Sequence, residues 1–198
     1  MALGAAAPLA AQPRSAAPHV VIRWSPQVAL PGEGSEARRR AGNILGQAGI
    51  SVSWRECGSF ARRTGRLSAE CLEPLEPNEV VLRIVQGGPS DPSLWSSLGE
   101  SVVVLDGRGG WFSTIYSDRV TAMALLANVD VDDVLSRAVA HEVGHLLLGS
   151  RAHARHGLMR AMWSTADLRR NAALDWLFSA NEARTMREAI ARRVPESS

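Results

Sequence analysis

The chain has 198 residues, 45% of them hydrophobic, with a formal charge of +2. That length and apolar content suit one domain with a buried core and exclude a disordered or fibrous chain. The small net charge gives no footing for a nucleic-acid partner, and no apolar run approaches the roughly 18 residues that span a bilayer.

All 22 basic residues are Arg, interspersed with acids. The densest run, Arg38-Arg39-Arg40, reads as the solvated face of a helix. Residues 1–18 are rich in Ala and Pro and read as an unfolded tail or the remnant of a secretion signal, although no Arg precedes the small apolar stretch. The expectation is an exported protein whose single domain runs from residue 19 to 198.

The first β-rich run is His19 to Trp24, closed by Ser25-Pro26. Ala37, Ala41, Ile44, Leu45 and Ala48 then recur at spacings of three and four, one face of an amphipathic helix with Ser35 as N-cap and Gly49 as stop. Ile50, Val52 and Trp54 alternate with serines, which predicts a half-buried strand. Strand, helix and strand in succession make a β-α-β unit with parallel strands.

Residues 55–78 read as a long polar loop carrying the only two cysteines, Cys57 and Cys71. They form no C-x-x-C pair, so a zinc knuckle is not indicated. In an oxidising compartment they can form one disulfide; in a reducing one they would be free thiols. Strands are predicted at Glu79 to Val85, Ser101 to Leu105 and Trp111 to Tyr116. The first half is therefore a mixed sheet with a crossover helix.

Asp130 to Leu148 is predicted as a buried helix, with Asp130 as N-cap, acids in the first turn and Gly149 as terminator. Ser179-Ala180-Asn181-Glu182 has the pattern of a capping box opening a last helix to about Arg193.

The buried helix carries His141-Glu142-Val143-Gly144-His145. Residues four apart share a helical face, about 5–6 Å apart at Cβ, so both imidazoles can reach one Zn²⁺. Glu142 is rotated about 100° and flanks the metal as a general base. Two histidines and a glutamate in an apolar helix each need a partner, because burying them unpaired costs several kcal/mol. One metal satisfies both histidines. A catalytic zinc needs a third protein ligand and an open fourth position. His153 and His156 are the candidates past Gly149, and the shorter return favours His153. Glu182 is a rival ligand, but its capping role already accounts for it.

The segment from His141 to Met159 resembles the active-site segment of the metzincin zinc peptidases. His141, Glu142, His145, Gly149, His153 and Met159 are the matching positions, with the Gly one residue later and the third His two residues later than is usual there. The resemblance implies a zincin-like α+β fold: an N-terminal mixed sheet with a crossover helix, an active-site helix and a C-terminal helix. It implies an antiparallel edge strand holding extended substrate, for which Ser101 to Leu105 is the choice. It also implies a Met-turn beneath the metal, at Met159 with Met162 as the weaker choice. Some metzincins carry a Tyr after that Met to stabilise the oxyanion. Here Ala161 follows and the only Tyr is Tyr116, so that stabilisation falls to the zinc. The expected function is zinc-dependent endopeptidase action on peptide or protein substrates. The alternatives are a peptide-binding module of the same fold without turnover, and a hydrolase of other amides.

Overall fold

The computed structural model describes residues 17–58, 69–87, 97–104 and 109–193. The five strands are β1 (His19–Pro26), β2 (Ser51–Glu56), β3 (Glu79–Val85), β4 (Gly99–Val104) and β5 (Gly109–Tyr116). They form one sheet in the order β2-β1-β3-β5-β4. Four are mutually parallel, and β4 runs antiparallel to β5 on the edge. The expected edge strand is therefore present, shifted two residues toward the N-terminus; Leu105 lies outside the described residues, as does most of the expected tail.

Helix α1 (Ser35–Gln47) makes the crossover between β1 and β2. It buries Ala37, Ala41 and Leu45. Its N-cap is Gly34 rather than Ser35. Ser35 already has helical φ and ψ, which leaves the left-handed Gly34 (φ +73°) as the cap; a β-carbon there would lie 2.7 Å from the buried Trp24 ring, so only glycine fits. Glu79, at the start of β3, is buried and ion-paired with Arg23 and Arg55. Arg23 also donates to the carbonyls of Glu73 (2.8 Å) and Pro74 (3.0 Å), tying the chain ahead of β3 to β1. Cys57 and Cys71 are joined in a disulfide, leaving no free cysteine among the described residues.

Two helices lie where no element was expected. The first, α2 (Ser117–Ala127), runs straight on from β5. It buries Val120, Ala124 and Ala127 on one face but leaves Leu125 and Leu126 largely exposed, so apolar residues run round the helix and blur the periodic signal. The second, α4 (Thr165–Arg170), is a six-residue helix held by a capping box of Ser164 and Asp167. Between them, α3 (Val131–Leu148) is the expected central helix. The Asp130 side chain accepts from the Asp132 amide, and every residue from Val134 to Leu147 is buried. It packs against α1, α2, the sheet and α5 (Ala180–Arg193). The Ser179–Glu182 capping box forms as expected, with amide-to-side-chain distances of 2.7 and 3.3 Å. No helix among the described residues is long and apolar enough to cross a membrane.

Candidate metal centre

Helix α3 presents His141 and His145 one turn apart, and their Nε2 atoms lie 3.0 Å from each other. Gly149 closes the helix at φ +63°, and the chain turns back on itself. His153 follows, with its Nε2 3.3 Å from that of His145. The three ligand nitrogens all lie within 4.8 Å of one another. His156 is exposed and stands outside this cluster, and Glu182 is occupied at the start of α5.

The outer nitrogens decide what the inner ones are. His141 Nδ1 is 2.9 Å from the Leu158 carbonyl, and His145 Nδ1 is 2.7 Å from the Ser150 carbonyl. A carbonyl accepts only, so each Nδ1 carries the proton and each Nε2 presents a lone pair. Burial pushes His141 down to about 3, with the neighbouring His145 adding to it, and burial also lowers His145 and His153. All three are therefore neutral at pH 7. The His141 and His145 lone pairs, meeting at 3.0 Å, repel one another unless a cation lies between them, and a set of neutral imidazoles, two of them held by carbonyls, is what zinc takes.

The returning loop is braced from below. Ala154 donates its N–H to Met159, and Leu158 donates to Leu177 (both 2.9 Å). Met159 is buried and packs under α3: a β-carbon at Gly144 would lie 2.7 Å from its Sδ and 2.7 Å from the Phe178 ring. Met162 is exposed and takes no such position.

Glu142 is buried on the flank of the cluster facing β4. Ser101 Oγ lies 2.6 Å from its Oε2 and 2.6 Å from Ser113 Oγ. Burial pushes the Glu142 carboxyl up to about 7, against the opposing Ser101 hydrogen bond and with the help of Glu100. A carboxyl near 7 suits a group that must take and return a proton at neutral pH. Tyr116, at the end of β5, is buried and raised to about 12, first by burial and then by Glu100.

Trp163 packs edge-on against His141 (5.6 Å between ring centroids) and against Trp176 (5.3 Å). Trp176 is in turn covered by the guanidinium groups of Arg137 and Arg160, at 4.0 and 4.5 Å. Sequence reasoning missed Trp163, Ser101 and Ser113 as neighbours of the site. None of them sits in a motif: Ser101 and Ser113 reach Glu142 from the distant sheet, and Trp163 lies just past the turn at Met159.

No protein-family model matches this chain, and no curated protein matches it. Among solved structures it is similar to the archaemetzincin of Methanopyrus kandleri, with 14% identity and a TM-score of 0.58 over 92% of this chain and 100% of that one. It is also similar to a zinc-dependent peptidase of Methanocorpusculum labreanum, with 14% identity and a TM-score of 0.54 over 84% and 98%. At such identity the likeness carries the fold, a zincin-like α+β architecture.

Proposed function

We propose that the protein is a zinc-dependent endopeptidase, with His141, His145 and His153 as metal ligands and Glu142 as general base. The observation that carries this is the convergence of three neutral imidazoles, two with their lone pairs fixed inward, beside a buried carboxyl raised to about 7. A zinc ion held there would polarise the scissile carbonyl, stabilise its developing negative charge and lower the pKa of its water. The Leu158 and Ser150 carbonyls keep His141 and His145 in the ligating tautomer. Met159, beneath Gly144, fills the role of a Met-turn by fixing the floor of the site. Glu142 takes a proton from the attacking water and delivers it to the leaving amine. That carboxyl argues against a site built for binding alone. The similar folds of an archaemetzincin and of a zinc-dependent peptidase support the same reading. The Cys57–Cys71 disulfide supports export into an oxidising compartment, which fractionation of producing cells tests.

Metal analysis of the purified protein, with cleavage of casein before and after EDTA, tests the proposal. We expect one zinc per chain, lost in His141→Ala and His145→Ala, and casein cleavage that EDTA abolishes. Glu142→Ala should keep the zinc and lose roughly 10²–10⁴-fold in turnover. Protein that neither carries zinc nor takes it up would overturn the reading.

A further inference from the structure

The contacts of β4 with α3 reach beyond ordinary packing. Tyr116 donates its backbone N–H to the Leu98 carbonyl (2.9 Å), and the register continues with Gly99 opposite Ile115, Glu100 opposite Thr114 and Ser101 opposite Ser113. Hydrogen-bonded and non-hydrogen-bonded pairs alternate along an antiparallel ladder. The Leu98–Tyr116 bond therefore makes Gly99–Ile115 and Ser101–Ser113 the non-bonded pairs. Their side chains approach closely, as the Ser101–Ser113 distance of 2.6 Å shows. Their main-chain N–H and C=O groups point away from β5, toward the free edge of the sheet. The Gly99 carbonyl is met there by Ser97 Oγ. Ser101 thus directs its main chain to the edge and its side chain to Glu142.

The two oxygens of Glu142 are not equivalent. Oε2 is 2.6 Å from Ser101 Oγ, whereas Oε1 lies over Gly99, where a β-carbon would come within 3.0 Å of it and 2.9 Å of Cγ. Ser101 has one proton and three acceptors within reach: Glu142 Oε2, the Glu142 carbonyl at 3.0 Å, and Ser113 Oγ. If Ser113 donates to Ser101, the Ser101 proton is released for the carboxylate. A hydroxyl bound to a charged acceptor makes one of the stronger protein hydrogen bonds.

We propose that Ser101, supported by Ser113, is the positioning residue for the general base: it anchors Oε2 of Glu142 and leaves Oε1, over Gly99, as the oxygen that takes the proton. The strand edge that would receive an extended substrate and the hydroxyl that aims the base then belong to the same residue, so substrate registered on β4 is registered against Oε1. The proposal rests on the reading of Glu142 as base.

Two readouts separate its failure from failure of that reading. In metal-free protein, the side-chain carboxyl ¹³C resonance of Glu142 is assigned by its disappearance in Glu142→Gln. It should move in Ser101→Ala, move less in Ser113→Ala, and stay near its wild-type position in Ser101→Thr. In zinc-loaded protein, with a quenched fluorescent peptide that copies the sequence around a casein cleavage site, Ser101→Ala should lower kcat by about tenfold to a hundredfold. That is the order of loss when a catalytic group is misplaced by about an ångström. KM and zinc stoichiometry should be unchanged, and Ser101→Thr should restore most of kcat. Ser113→Ala, which touches neither metal nor base, supplies the test if Ser101→Ala fails to fold: a smaller loss in kcat at constant KM supports the proposal. A Glu142 resonance indifferent to Ser101→Ala, or wild-type kcat in that variant, overturns it. Wild-type protein that binds zinc and cleaves nothing would instead refute the peptidase reading, and the ¹³C result would still decide whether Ser101 holds the carboxylate.

Discussion

Gly144, the residue directly before His145, sets two opposing effects against each other. Replacing a helical glycine by alanine ordinarily stabilises a helix by up to about 1 kcal/mol, because the unfolded chain loses freedom. At residue 144 the new methyl would lie 2.7 Å from Met159 Sδ and 2.7 Å from the Phe178 ring edge. Comfortable contacts lie near about 3.5–4.0 Å. Both neighbours would have to retreat by about 1 Å, and overpacking of that kind costs about 1–3 kcal/mol. Overpacking should win, for a net loss of about 1 kcal/mol in Gly144→Ala, or about 2–4 °C in melting temperature for a domain of this size. Gly46, near the end of α1, has nothing within 4 Å of where a β-carbon would sit, so Gly46→Ala should gain a few tenths to about 1 kcal/mol. Thermal unfolding of the two variants beside wild type isolates the packing contribution. Displacing Met159 should also weaken zinc by about tenfold, the usual scale for disturbing residues behind a metal ligand. A Gly144→Ala protein that melts as high as Gly46→Ala, with undiminished zinc affinity, would refute the claim that Met159 is pressed against the ligand helix.

Zinc titration should show His153→Ala losing most of its metal while His156→Ala keeps it, since only His153 joins the cluster. Glu182→Ala should lose about 1 kcal/mol of stability with its cap and keep zinc; loss of zinc from that variant or from His156→Ala would reverse the assignment. Burial pushes the Glu79 carboxyl upward, but hydrogen bonds from Arg23 and the Glu76 amide outweigh it and hold the group below its ordinary value. The stability it contributes is therefore full above the unfolded carboxylate pKa of about 4.3 and is lost as pH falls through the lower folded value. Urea unfolding should show Glu79→Gln less stable by about 3–5 kcal/mol at pH 7, through the uncompensated buried Arg23, with a shallower loss toward acid. Non-reducing mass spectrometry should find one linked Cys57–Cys71 peptide pair, and two alkylatable thiols in native protein would contradict it.

Features that follow from local periodicity were legible before any fold was known. Histidines four apart in a helix must share a face, so His141, Glu142 and His145 stand out from the chain unaided. The alternation at Val52 and Trp54 and the three-four spacing from Ala37 to Ala48 likewise announce the β-α-β unit, because each element must turn an apolar face to one core. Which residues from elsewhere complete the site was a matter for the folded chain. Past Gly149 the chain returns on bonds from Ala154 to Met159 and from Leu158 to Leu177, and these bonds select His153 over His156. The grip of Ser101 on Glu142 spans 41 positions and depends on the register of β4 on β5. The left-handed turn at Gly34, pressed against Trp24, makes Gly34 and not Ser35 the cap of α1. Helix α2 buries Val120, Ala124 and Ala127 but turns Leu125 and Leu126 outward, so apolar residues on its exposed face blur the stripe. Periodicity reports the face an element buries; partners across the fold are set by packing and register, which no local window contains.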